Sequence, residues 1–293
     1  MAWADSIPNG LLPKGRPGLV PGHDRHREEG RERESRLPTG LHRLAPQLLW
    51  LRSVSMPRRY EWVFVDAGET LFRTTAPSAG FAEVLARSGY RLSAERIAAL
   101  VEQARVDAMT ADHIEPGPAY AISPERARAR RDRLVDAILR GLGIRPADLD
   151  ACRAAIWDSF VGDQFFSLYP EVPNVLSSLR AEGYRLGVIS NWEPRLELLC
   201  RNHGLVDDFE FVLASEAEGY AKPGPHLFRR ALELACVEAG AAVHVGDSYE
   251  HDVLGATAVG LNAILLDRGG HYAPDQWKPT IRSLEELPAL LGE

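Results

Sequence analysis

The run Trp62-Val63-Phe64-Val65 is apolar at every position and stops at Asp66. A strand apolar on both faces must be covered on both faces, which is the habit of parallel sheets flanked by helices. Its terminal carboxylate then stands at the mouth of a buried strand, where open α/β sheets bind ligands. Gly68 and Thr70 follow in the same loop, Ala67-Gly68-Glu69-Thr70-Leu71. Such a carboxylate can act as a nucleophile, hold a metal, or only cap the strand end, and the residues of this loop leave all three open.

Short aliphatic runs of the same kind recur at Leu186–Ile189, Phe209–Leu213, Val243–Val245 and Ala263–Leu266. Helical periods separate them. Val172, Val175, Leu176 and Leu179 share a face and Gly183 closes that stretch; Leu227, Phe228, Ala231, Leu232 and Ala235 form another. Ser283-Leu-Glu-Glu286 is a capping box that opens the last helix. Strand and helix in alternation give the α/β class: a Rossmann-like, doubly wound parallel sheet. From Thr75 to Tyr169 the pattern changes to helices with no convincing strand. Ser93 and Ser123-Pro124 are helix starts, and Leu149, Cys152, Ile156, Trp157 and Phe160 mark a further helix. The expected organisation is a core of residues 56–75 and 170–293 with an all-helical cap, residues 76–169, inserted after the first strand.

Residues 1–55 are rich in Pro, Gly, Arg and Glu and lack an apolar period. They are expected to be a disordered or non-native extension, with Met56 a candidate start. A net charge of −7 argues against a general nucleic-acid binder. No apolar run approaches the roughly 20 residues that span a bilayer. Three widely spaced cysteines, Cys152, Cys200 and Cys236, suit a reducing cytoplasm and are expected to be small buried apolar residues.

Three later motifs join Asp66. Ile189-Ser190-Asn191 ends a core strand; the Ser190 hydroxyl and the next backbone N–H, that of Asn191, can donate to an anionic oxygen, or Ser190 can cap a helix. Gly219-Tyr-Ala-Lys222-Pro-Gly-Pro225 sets one lysine in a proline-stiffened loop, where a solvated surface charge is the ordinary alternative. His244-Val-Gly-Asp247-Ser-Tyr-Glu-His-Asp252 carries two carboxylates across a strand end and the next helix, a pair that suits Mg²⁺, a hard ion with oxygen ligands.

With these four motifs in this order, residues 60–290 resemble the haloacid dehalogenase superfamily, closest to members with a helical cap after the first strand. The resemblance implies that Asp66 attacks phosphorus and becomes an aspartyl phosphate. It implies Mg²⁺ on Asp66, the Gly68 carbonyl and Asp247, with Asp252 in support, while Ser190, Asn191 and Lys222 bind the phosphoryl oxygens. Lys222 is also expected to hold Asp66 ionised, and Thr70 to orient the loop. The substrate would be a small phosphorylated metabolite, and the protein a monomer or homodimer.

One part of the family pattern is missing. Its phosphatases carry a second Asp two residues after the nucleophile, and Gly68 stands there. General acid–base help is worth about 10²–10⁴-fold. The expectation is therefore a phosphohydrolase that favours leaving groups needing little protonation, such as aryl or acyl phosphates, with a cap residue or, less so, Glu69 as a substitute acid. Gly68→Asp should then raise hydrolysis of alkyl phosphates. The alternatives are a catalytically weak binding protein on the same fold and a 2-haloacid dehalogenase; the intact Asp247/Asp252 pair speaks against the latter.

Overall fold

The computed structural model describes residues 59–75, 77–111, 120–162, 165–273 and 275–292. The expected N-terminal extension, residues 1–55, lies outside them.

Six strands form one parallel sheet: β1 Trp62–Val65, β4 Arg185–Ser190, β5 Phe211–Ala214, β6 Ala242–Gly246, β7 Asn262–Leu266 and β8 Thr280–Ile281. Their order is β5-β4-β1-β6-β7-β8. β1 is paired on both edges, with Val65 opposite Val188 of β4 and Val245 of β6. Central placement is why all its side chains are buried. Val63 and Val65 join the apolar cluster on one face, with Val172, Leu176 and Leu199, while Trp62 and Phe64 join Leu227 and Phe228 on the other. The sheet is thus doubly wound, as the continuous apolar runs require. Gly187 in β4 is glycine because a Cβ there would meet the Phe211 ring at 2.5 Å.

Two short strands were not legible. β2, Phe72–Thr74, and β3, Phe166–Leu168, pair antiparallel, with Phe72 opposite Leu168 and Thr74 opposite Phe166. β3 lies in the stretch read as strandless; three residues are too few for an alternation to declare itself. The pair forms a stem. Between its two strands stand α1 Pro77–Arg87, α2 Ala94–Ala111, α3 Pro124–Gly141 and α4 Leu149–Ser159. Their starts follow the expected chemistry: Ser93 Oγ accepts from the Arg96 N–H and Ser123 Oγ from the Arg126 N–H, both at 3.3 Å. Phe81, Ile97, Leu139 and Ile156 of these helices belong to the same apolar cluster as Val63 and Val65.

Helices α5 Val172–Ala181, α6 Leu196–Asn202, α7 Ser215–Glu218 and α8 Pro225–Ala235 connect the core strands. The final capping box is present at Ser283 and Glu286. Cys152 and Cys200 are buried as expected, but Cys236 is exposed, because it ends α8 in the left-handed region at φ 54°. Among the described residues no helix is long and apolar enough to cross a membrane.

Candidate active site

All four motifs converge on the C-terminal ends of β1, β4 and β6. Asp66 follows β1 directly, Ser190 is the last residue of β4, and Asp247 follows β6. Asp252 is buried in a π-helical turn, Tyr249–Leu254, which Ser248 caps by accepting from the His251 N–H at 3.1 Å. Carboxylate oxygens of Asp66, Asp247 and Asp252 lie within 4.8 Å of one another.

Lys222 is no surface charge. It is 3% exposed and reaches the cluster from the loop between α7 and α8. Its Nζ donates to Asp66 Oδ1 at 2.6 Å, Asp252 Oδ1 at 2.5 Å and the Ile189 carbonyl at 2.9 Å, which uses all three ammonium protons. The Asn191 carboxamide holds this loop, accepting from the Lys222 N–H at 2.8 Å and donating to the Lys222 carbonyl at 2.9 Å. The side chain of Asn191 is therefore committed to placing Lys222. Asp252 is fixed further by the Ser248 N–H at 3.0 Å and by His244 Nε2 at 2.9 Å.

The loop after Asp66 is a tight turn. The Ala67 carbonyl accepts from the Leu71 N–H at 3.0 Å and the Phe72 N–H at 2.9 Å, and Glu69 N–H donates to the Phe72 carbonyl at 2.7 Å. None of these bonds uses the Gly68 carbonyl. Thr70 is fully buried, and its Oγ1 has no partner among the described residues. Glu69 does not supply the missing acid: it adopts φ 51° and its carboxylate accepts from Thr74 N–H and Oγ1, both at 3.1 Å, and from the Tyr169 hydroxyl at 2.8 Å. Burial, and then Glu69, push that hydroxyl up to about 12.

Two residues of the site escaped the sequence reading. His244 is wholly buried within β6; a histidine inside an otherwise apolar strand was the available signal. Arg268, just past β7, donates from Nε to the Glu69 carbonyl at 3.1 Å and from Nη2 to the Thr70 carbonyl at 2.9 Å. Its Nη1 donates to Glu171 at 2.6 Å, and its guanidinium lies 3.6 Å from the Tyr169 ring centroid. One planar fork thus holds two consecutive carbonyls of the turn. Its place at a strand end was the only clue.

The electrostatics show too much negative charge. Burial pushes Asp247 up to about 7, with Asp66 and Asp252 adding to the rise. Burial also raises Asp66, and the Lys222 ammonium beside it, expected to hold it ionised, opposes that rise. Asp252 goes the other way: burial is overcome by Lys222 and His244, and its carboxyl lies below the usual range. Lys222 is pulled down by burial but held above its ordinary value by Asp252 and Asp66. Three buried or half-buried carboxylates stand together, and the Lys222 ammonium pairs with two of them, Asp66 and Asp252. That imbalance, the all-oxygen donor set and the orphaned Thr70 hydroxyl fit a divalent cation with an anionic ligand.

Beside Asn191 opens a cavity of about 470 Å³, lined by Trp192, Phe160, Phe166 and Ile122, with Arg130 and Arg131 of α3 on its wall. In the arginine-rich stretch of α3, Arg131 turns inward and pairs with Glu216 of α7. Trp157 packs on Phe160 and donates from Nε1 to Asp132 at 2.9 Å, in keeping with a packing role. Tyr120 is half exposed, and its carbonyl accepts from the Ala221 N–H at 2.8 Å, beside Lys222. His113, a further candidate contact, lies outside the described residues.

Comparison with known proteins agrees with this geometry. The family model described as "Hydrolase: haloacid dehalogenase-like hydrolase" matches residues 60–260, more than half of the chain. The haloacid dehalogenase-like hydrolase domain-containing protein 3 of Danio rerio is 37% identical over 50% of this chain and 62% of its own length. A ribulose-1,5-bisphosphate 5-phosphatase of Halopiger xanaduensis is 34% identical over 42% of this chain and 51% of its own. The chain thus spans about half the length of the curated relatives it matches. Among solved structures, a 2-haloacid dehalogenase from Pseudomonas syringae superposes with a TM-score of 0.57 at 27% identity, covering 80% of this chain and 98% of that one.

Proposed function

Because the chain belongs to the haloacid dehalogenase-like hydrolases, we propose that it is a magnesium-dependent phosphohydrolase that works through an aspartyl phosphate on Asp66. The carrying observation is the convergence of Asp66, Asp247 and Asp252 within 4.8 Å around the single ammonium of Lys222. Halide displacement would not call for that second and third carboxylate. Relatives named as ribulose-1,5-bisphosphate, glyceraldehyde 3-phosphate and phosphoserine phosphatases support the same choice.

Asp66, the Gly68 carbonyl and Asp247 would hold Mg²⁺, with Asp252 behind them. The bound ion would neutralise the excess charge and let two anions approach. The residues of the chain do the rest. An Asp66 carboxylate oxygen forms a bond to phosphorus while the ester P–O bond breaks and its electrons leave with the alcohol oxygen. Ser190 binds the phosphoryl oxygens as charge moves onto them, and the Lys222 ammonium, whose protons are already placed, offsets that charge from beside Asp66. Water then attacks phosphorus, the Asp66–phosphorus bond breaks, and the carboxylate returns with release of inorganic phosphate. Thr70 supplies its unpartnered hydroxyl to the same oxygens, and Arg268 holds the turn that carries Gly68 and Thr70. The helices α1–α4, read as a cap over residues 76–169, face this chemistry and exclude water.

The test is hydrolysis of a panel of phosphate esters with Mg²⁺ and with a chelator, on the parent chain and on Asp66→Asn. Turnover that needs both the metal and Asp66 is expected. Turnover unchanged by either removal contradicts the proposal.

A further inference from the structure

The turn after Asp66 carries no side chain at Gly68, and Trp192, from the end of β4, stands against that position. A Cβ built on Gly68 would stand 3.3 Å from Trp192 Cζ3, tighter than ordinary packing of carbon on carbon. Trp192 cannot easily yield. Its N–H donates to Ser215 Oγ at 3.1 Å, its carbonyl accepts from Ser215 Oγ at 3.3 Å and from the Glu216 N–H at 3.2 Å, and its ring packs on Phe166 at 5.0 Å between centroids. The same half-buried indole lines the cavity of about 470 Å³, with Phe160 and Phe166 as further aromatic walls. One side chain therefore borders both the empty position at residue 68 and the adjoining pocket.

We propose that Trp192 is the specificity-determining residue of this site, and that the cavity it lines receives the aromatic leaving group of an aryl phosphate monoester. The proposal rests on the phosphohydrolase reading above and chooses between the aryl and acyl classes which that reading leaves open. An indole donates a hydrogen bond but is no acid in the physiological range, and the two carboxylates on the same cavity wall, Glu216 and Glu193, are paired with Arg131 and Arg195, so no proton is supplied from this side and the leaving oxygen departs as an anion. A phenolate carries that charge far better than an alkoxide. The pocket is of the size that takes small molecules, and Trp192, Phe160 and Phe166 give it aromatic walls suited to a flat ring, opposite a polar side that carries Arg130, Arg131 and Glu216. In the step itself the Asp66 oxygen–phosphorus bond forms and the phosphorus–phenol oxygen bond breaks. Both electrons go to the phenolate, which takes its proton from solvent after departure.

The experiment measures kcat/KM for substituted phenyl phosphates of graded phenol acidity and for glycerol phosphate, with Mg²⁺. The chains compared are the parent, Gly68→Asp, Trp192→Ala, Gly68→Asp/Trp192→Ala and Gly68→Asp/Trp192→Phe. In the parent, rates fall steeply as the phenol becomes less acidic, and glycerol phosphate is slower by at least about 10²-fold, the lower value of a general acid. Gly68→Asp alone keeps the steep dependence, because the indole blocks the new carboxyl. The double variants flatten it and raise glycerol phosphate turnover. Trp192→Ala raises KM for phenyl phosphates about 10-fold, the value of one aromatic contact, and raises that of glycerol phosphate by less. A shallow dependence in the parent, or a flattening by Gly68→Asp alone equal to that of the doubles, overturns the role of Trp192. In either case Asp66-dependent turnover still stands. Absence of Asp66-dependent turnover of every ester overturns the underlying reading as well.

Discussion

Around Asp66 the site is crowded with charged groups, whereas around Gly68 it is walled by rings. On the first side, Lys222 spends its three protons on Asp66, Asp252 and the Ile189 carbonyl, and His244 and Ser248 fix Asp252 in turn. On the second, Trp192 lies against the position where an acid would project, and Phe166 and Phe160 continue the wall. The difference teaches that moving a phosphoryl group and protonating a leaving group are separable tasks. On the proposed function, this chain keeps the parts for the first and lacks the usual part for the second. Mutations on the two sides should therefore fail in different ways.

The largest effect is expected from Asp66→Asn. Loss of the nucleophile should lower kcat by about 10⁴-fold or more, as removal of a nucleophile does elsewhere, with folding intact by circular dichroism. Substantial residual turnover would move the reaction away from this cluster altogether. Next comes Lys222→Met, which leaves two buried carboxylates without their partner. A loss of about 3–5 kcal/mol in urea unfolding is expected, the usual cost of breaking a buried ion pair. Added Mg²⁺ should recover part of it, because the ion would then answer the orphaned charge. A neutral outcome would mean the pairs with Asp66 and Asp252 are incidental.

Arg268→Ala sharpens the comparison from behind the turn. With the Glu69 and Thr70 carbonyls released, kcat should fall about 10²-fold, the scale of a misplaced reacting group, while KM changes little. Guanidinium in the assay should restore part of the rate. A fall in KM affinity alone would place Arg268 in substrate binding instead.

The next expectation concerns pH. Asp247 is pushed up to about 7, so the metal-free folded chain keeps a proton there that the unfolded chain has lost above its ordinary value. The folded state then binds more protons than the unfolded state between the ordinary carboxyl pKa and about 7, and Asp247 makes stability fall as pH rises through that window. Asp247→Asn should accordingly stabilise the metal-free protein at pH above about 7 and do little below the ordinary carboxyl range. Mg²⁺ should raise the melting temperature of the parent more at the higher pH, since the ion needs the ionised carboxylate. Equal melting shifts at both pH values would contradict this. The smallest effect should be that of Trp157→Phe, which loses the bond to Asp132 at about 1 kcal/mol, with turnover unchanged.

Much of the charged side of this comparison was legible in the sequence, because strand ends are local. Asp66, Ser190 and Asp247 each follow an apolar run, and the parallel order of the sheet brings such ends together. Lys222 was visible only as a lysine among prolines; its burial depends on the Asn191 carboxamide, which lies on another strand end. The aromatic side was not legible. That Trp192 fills the space at Gly68 is a tertiary fact joining the ends of β1 and β4, and nothing in either local pattern announces it. The same holds for Arg268, whose two carbonyl partners lie far away in the chain. The stem strands β2 and β3 escaped for a different reason, since three paired residues carry too little periodicity to be seen.

The most direct test of the account is to trap the phosphoryl group. The protein is mixed with an aryl phosphate and Mg²⁺, quenched in acid within the first turnover, reduced with borohydride and digested for mass spectrometry. Phosphoryl transfer onto residue 66 predicts homoserine at that position and nowhere else, and none in Lys222→Met or without the ester. Turnover with an unmodified Asp66, or reduction at a different carboxylate, would contradict it.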